Sequence, residues 1–242
     1  MMPKRREFLV GALSLGFGGL LPACSKSRKV RSSVHAGVDF KELVPLQPDD
    51  SMPLVVAIHG LGGAPEHWVE GWMRFPGNAH IVLPRGFHAH EEGFSWFPWS
   101  TDMKSEKLAS DVGAAEERLW KAVAELAARR RVVVAGFTQG AILSFVMAAR
   151  HPEAIAGAFP VVGACPEALL PRNKARAAPL IAFHGTADDV LPIQLVRDAV
   201  KAFKEQGNEA EIREYAGVRH TATDQMHADL NAEMLKTLKG RS

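Results

Sequence analysis

The chain is poor in cysteine, with two in 242 residues, Cys24 and Cys165. If Cys24 becomes a modified N-terminus, as its setting below suggests, only Cys165 remains as a thiol. An internal disulfide is then excluded even in an oxidising compartment. Charge of one sign is also lacking: 29 Lys and Arg face 27 Asp and Glu, for a net charge of +2. No basic face is evident, which argues against nucleic acid as a partner. Repeats and low-complexity tracts are missing, and no apolar run reaches the ~20 residues of a membrane span. His88 and His90 alternate without a clustered ligand set, so no metal site is expected. What is abundant is apolar surface, 47% of residues against 23% charged. That suits one folded α/β domain rather than a disordered chain.

The first residues form a separate unit. Lys4, Arg5 and Arg6 precede an uncharged stretch, Phe8 to Leu21, that ends in Leu21-Pro22-Ala23-Cys24. A basic start, a short apolar region and small residues before a cut describe a secretory signal. Arg5-Arg6-Glu7-Phe8-Leu9 resembles the twin-arginine export signal. Leu-Pro-Ala-Cys resembles a bacterial lipobox, in which the cysteine is lipidated. Residues 1–23 are therefore expected to be a signal peptide and Cys24 a lipid anchor at the periplasmic face. The alternative is an uncleaved N-terminal membrane anchor. Cleavage removes three basic residues and one acidic one, leaving 26 of each. Residues 24–36 are expected to be a tether and residues 37–242 the domain.

Along the domain, strands and helices alternate. Buried strands are predicted at Leu54–Ile58, Ile81–Leu83, Val132–Ala135, Ile155–Val162 and Pro179–Phe183, with a more polar one at Glu211–Tyr215. Helices are predicted over Lys104–Arg129, after Gly140, over Ile193–Gln206 and over Thr223–Lys239. This order implies a mainly parallel central sheet covered by helices on both faces. Phe87 to Trp99 reads as an irregular segment. Its Trp96 and Phe97 either line a substrate pocket or pack on the core. Cys165, after an apolar run, reads as a small residue at the edge of the core.

Ligands in open α/β sheets collect beyond the carboxyl ends of the strands. Three polar side chains fall at such ends. Thr138 lies in Gly136-Phe137-Thr138-Gln139-Gly140, between a buried strand and an apolar helix. That is the context of a nucleophile elbow, with threonine where serine is usual. Asp188 lies in His184-Gly185-Thr186-Ala187-Asp188-Asp189, and His220 in Tyr215-Ala216-Gly217-Val218-Arg219-His220. Nucleophile, acid, histidine is the chain order of the α/β-hydrolase triad. His59-Gly60-Leu61-Gly62-Gly63, at the end of the first buried strand, could supply an oxyanion-hole donor.

With these residues in view, the chain resembles the phospholipase/carboxylesterase family, which includes the acyl-protein thioesterases. The resemblance rests on GFTQGAILSF, HGLGG, the SWF of Ser95 to Phe97, HGTADDVLP and YAGVRH. It implies an α/β-hydrolase fold with the acid at Asp188 rather than Asp189 and the base at His220 rather than His227. The oxyanion-hole donors would be the backbone N–H groups of Leu61 and Gln139. No cofactor or metal is implied, and the expected partner is a small-molecule ester or thioester.

Thr138 departs from the family pattern. Its hydroxyl can still be deprotonated by His220, but a β-branched residue at positive φ costs roughly 1–3 kcal/mol, and its extra methyl stiffens χ1. Two readings stay open: a slow or selective ester hydrolase, and a catalytically silenced binding module. Hydrolysis of peptide or polymer substrates is a third, because elbow and triad do not fix the leaving group.

Overall fold

A computed structural model describes residues 28–49 and 51–240. The signal peptide expected over residues 1–23 and the lipidation expected at Cys24 lie outside these residues. The described residues begin with two strands, β1 (Arg28–His35) and β2 (Val38–Pro45), followed by β3 (Leu54–Ile58), α1 (Pro65–Met73) and β4 (His80–Pro84). A short hairpin, β5 (His88–His90) and β6 (Gly93–Ser95), leads to the long α2 (Glu106–Ala127). Then come β7 (Val132–Phe137), α3 (Gln139–Arg150), β8 (Ile155–Val161), β9 (Leu180–Gly185), α4 (Ile193–Glu205), β10 (Ala210–Tyr215) and α5 (Asp224–Lys239).

Eight strands form one sheet in the order β1-β2-β4-β3-β7-β8-β9-β10. The β1–β2 and β2–β4 pairs are antiparallel, and β3 pairs in parallel with both β4 and β7. The remaining pairs are parallel, so β2 alone runs against the rest. This is the α/β-hydrolase fold, with the predicted strands and helices in place. The central strands β3 and β4 are buried along their whole length, as their unbroken apolar runs require.

Side chains alternate across β7. Val132 and Val134 join one core layer, with α2, α3 and α4, while Val133 and Ala135 join the other, with α1 and α5. A period of two on a doubly covered strand makes both faces apolar, and so the run is continuous.

Three expectations are corrected. The tether expected over residues 24–36 gives way at Arg28, because Arg28–His35 is a full edge strand in register with β2, from Arg28 opposite Pro45 to His35 opposite Val38. Its alternation is hidden because an edge strand exposes most of its side chains. The irregular reading of Phe87–Trp99 gives way to the β5–β6 hairpin. Trp96 and Phe97 do not line a pocket: each is 1% exposed and belongs to the core. Trp96 is deep because its indole N–H finds a buried acceptor, the His59 carbonyl, at 2.9 Å.

Candidate active site

The sheet order reverses between β3 and β7: the chain leaves β3 toward β4 and leaves β7 toward β8. That switch point opens a crevice at the strand ends, and residues 59–63 and the elbow both lie on it. Thr138 occupies the tight turn between β7 and α3 at φ 51°, ψ −107°. A close approach demands the glycine that follows: a Cβ on Gly140 would lie 2.0 Å from the Ile58 carbonyl oxygen. The elbow is thus pressed against the end of β3, and the Leu61 and Gln139 amides come from the two sides of that contact. Gln139 is the first residue of α3, so its N–H has no partner within the helix.

Asp188 and His220 arrive from β9 and β10, which pair in parallel through Tyr215 opposite Gly185. Here too glycine permits contact, since a Cβ on Gly185 would meet the Val218 oxygen at 2.2 Å. The Ala187 N–H donates to that oxygen at 2.9 Å. The loops carrying acid and histidine are therefore joined by their backbones before either side chain is considered.

The three side chains form one line. Thr138 Oγ1 lies 3.3 Å from His220 Nε2, and His220 Nδ1 lies 2.8 Å from Asp188 Oδ2. Asp188 Oδ1 accepts the backbone N–H groups of Val190 and Leu191, each at 2.9 Å. Burial alone would raise the Asp188 pKa. Hydrogen bonds from His184, His220 and the Leu191 N–H outweigh it and hold the carboxyl well below the usual range. The acid is ionised, and the imidazole N–H that it accepts is fixed at Nδ1, leaving Nε2 toward the threonine. Asp189 differs entirely: it is exposed and pairs with Arg219. His227 stays away from Asp188 and lines a cavity.

Sequence reasoning missed three supporting side chains. His59 is buried, with Nδ1 2.7 Å from the Gly60 oxygen, and its Nε2 accepts the Gly86 N–H at 3.0 Å. Desolvation lowers its pKa to about 4, so it stays neutral and pins the loop that carries Leu61. His184 is fully buried and donates from Nε2 to the Leu191 oxygen at 2.8 Å, with Asp188 Oδ2 at 3.2 Å. The Gln139 side chain accepts the Trp96 N–H at 3.0 Å and donates to the Phe97 oxygen at 2.8 Å. It clamps the segment after β6 onto the elbow. A signal for the two histidines was available, because each precedes a glycine at a strand end. Cys165 is buried and its thiol is pushed up by desolvation, as suits a core-edge residue and not a nucleophile.

An apolar cavity of about 70 Å³ opens between α1 and α5, with Trp68, Trp72, Phe137, His227 and Leu230 among its walls. The Phe137 ring also lies 6.3 Å from that of His220, so one side chain borders both cavity and triad.

The profile of the phospholipase/carboxylesterase family matches residues 43–238. The chain belongs to this family. Acyl-protein thioesterase 1 of Kluyveromyces lactis is 24% identical over 210 residues, 77% of this chain and 92% of that protein. The solved structure of TT1662 from Thermus thermophilus superposes with a TM-score of 0.69 at 20% identity, covering 88% of this chain and 99% of that one. That of Zea mays acyl-protein thioesterase 2 gives 0.65 at 20% identity, covering 82% and 98%. The chain is thus a phospholipase/carboxylesterase family member of esterase/thioesterase hydrolase type, with threonine at its elbow.

Proposed function

We propose that this protein is a carboxylic ester or thioester hydrolase that works by acyl transfer through Thr138, His220 and Asp188. The observation that carries the reading is the unbroken line from Thr138 Oγ1 through both nitrogens of His220 to an ionised, buried Asp188. A binding module has no use for an acid whose two oxygens are both engaged to hold a histidine in one tautomer.

Thr138 Oγ1 attacks the acyl carbonyl as its proton passes to His220 Nε2. Asp188 holds the Nδ1–H and balances the imidazolium. The Leu61 and Gln139 N–H groups receive the oxyanion. His220 then protonates the leaving alcohol or thiol. A water attacks the acyl-threonine, giving its proton to His220 Nε2, and the acid departs with the hydroxyl of Thr138 restored. The cavity beside Phe137 would hold a short acyl chain, since its apolar walls reward burial of methylenes. The reaction needs no cofactor. Residues 1–23 would direct export, and Cys24 would carry the lipid that keeps the domain at the periplasmic face.

One observation favours the silenced alternative. Thr138 is a β-branched residue at φ 51°, where strain costs roughly 1–3 kcal/mol, and its methyl stiffens the attacking rotor. Hydrolysis of p-nitrophenyl acetate and butyrate by residues 25–242 decides between the readings. Turnover that Thr138→Ala abolishes supports the hydrolase. A protein no better than Thr138→Ala, but activated by Thr138→Ser, is a hydrolase scaffold with a silenced nucleophile.

A further inference from the structure

Arg28, at the start of β1, ties the N-terminal edge of the domain to the turn before β4. Arg28 is buried, and its guanidinium donates to three backbone carbonyls between α1 and β4: Met73 at 3.2 Å, Phe75 at 2.9 Å, and Gly77. The first residue of β1 is therefore bolted to the loop that feeds the start of β4. Since β2 alone runs against the other strands, β1 starts where the parallel strands start. Thr138, Asp188 and His220 lie beyond the opposite ends, a strand length of about 20 Å away. Four residue steps separate Cys24 from Arg28, a reach of at most about 14 Å.

The same edge carries surface suited to lipid. Among the described residues, the exposed large hydrophobics are Val30, Val34 and Leu46, at 48%, 63% and 54%. Two of them lie at this end of the sheet, since Val30 is two residues from Arg28 and Leu46 follows the Pro45 that pairs with Arg28, whereas Val34, opposite Asp39, lies toward the far end of β1. Among the described residues no strand pairs with the outer side of β1, and an edge of this kind calls for a partner or a shield. Lys29, Arg129 and Arg131 are exposed, and the Arg131 oxygen accepts the Leu54 N–H at the start of β3. Such cations suit anionic headgroups.

We infer that the domain rests on the lipid bilayer by this N-terminal edge, with its catalytic face turned away, so that its ester arrives from the aqueous phase and not from the anchoring membrane. The inference rests on the reading of Cys24 as a lipid anchor. A soluble substrate would reach the crevice unhindered, whereas an acyl chain embedded in the same bilayer would have to leave it entirely.

The full chain, purified with its lipid, is placed in vesicles of phosphatidylethanolamine and phosphatidylglycerol that contain an energy-acceptor lipid. A fluorophore is attached at Asn78→Cys, beside the Arg28 lock, or at Thr221→Cys, beside the triad; buried Cys165 stays unlabelled. Energy transfer from position 78 is expected to exceed that from position 221 at least threefold. A 20-residue Gly-Ser insertion between Ser27 and Arg28 should erase most of that difference. Equal transfer in the unmodified chain, stronger transfer from 221, or a difference that survives the insertion overturns the proposal. Intact mass separates the other failure: an unmodified Cys24 overturns the anchor reading and the orientation with it. For the substrate, p-nitrophenyl butyrate should be hydrolysed at the same rate with or without the insertion. A butyrate ester embedded in the vesicle should gain at least fivefold from it, and equally fast hydrolysis of the embedded ester by the unmodified chain overturns the aqueous route.

Discussion

Among the described residues three buried carboxylates face histidine, Glu42, Glu116 and Asp188; Glu42 and Asp188 make the sharpest contrast, and only Asp188 belongs to the candidate active site. Glu42, in β2, is fully buried, with His80 Nε2 at 2.6 Å and Arg31 at 2.8 Å. Asp188 is buried with His220 Nδ1 at 2.8 Å. For both, burial by itself would raise the pKa, and hydrogen-bonded partners pull it well below the carboxylate range. The pairs differ at their far ends. The other nitrogen of His80 faces the Arg130 guanidinium at 2.9 Å, so that cluster is closed by cations on both sides. The other nitrogen of His220 faces a hydroxyl on a strained turn, and its side chain is 18% exposed. A depressed carboxylate beside histidine thus marks a satisfied charge cluster as readily as a catalytic one. What separates them is whether the histidine has a free nitrogen aimed at a nucleophile.

The sharpest test sets one pair against the other. His220→Ala should lower kcat/KM for a short ester by about 10³–10⁴ and change urea stability by less than about 1 kcal/mol. Glu42→Gln should do the reverse, costing about 1–3 kcal/mol by taking the carboxylate from buried His80, with kcat/KM within twofold. If Glu42→Gln cripples turnover in a protein that is still folded, the distinction between the clusters fails.

A smaller effect separates His220 from His59. The ordinary His pKa near 6.5 belongs to the unfolded chain, and that of buried His59 is about 4. Between these values the unfolded state binds the extra proton, so stability falls as pH falls, by up to about 3 kcal/mol across the window. Urea titrations from pH 7 to 4.5 should record this loss, and His59→Gln should flatten its slope. A slope unchanged in the variant would place the proton uptake elsewhere.

The smallest effect concerns the turn itself. Thr138→Gly removes both the methyl and the penalty at positive φ, and should stabilise the fold by about 1 kcal/mol while ending turnover. A loss of stability would mean that the threonine side chain is held comfortably there, and would weaken the case for strain.

Much of this was legible from local pattern. The buried strands of the parallel sheet, the helices α2 to α5 and the order Thr138, Asp188, His220 follow from apolar runs, helical spacing and glycine-flanked turns, all of which act over a few residues. The antiparallel pair β1–β2 was not legible, because β1 exposes most of its side chains and so shows no two-residue period.

What the sequence determined by itself is the scaffold and the identity of three polar groups at strand ends, since backbone sterics and hydrophobic burial set these locally. Only the tertiary structure decided which chemistry each neighbour carries. It surrounded Asp188 with the Val190 and Leu191 N–H groups and the buried His184, and left Asp189 on an exposed ion pair. It sent Trp96 and Phe97 into the core, where an indole N–H must find an acceptor, and turned Arg28 from a tether residue into a lock. The ion pair, the indole hydrogen bond and the lock all depend on partners 30 or more residues away, and desolvation of a polar group is settled by what surrounds it in space, not by what precedes it in the chain.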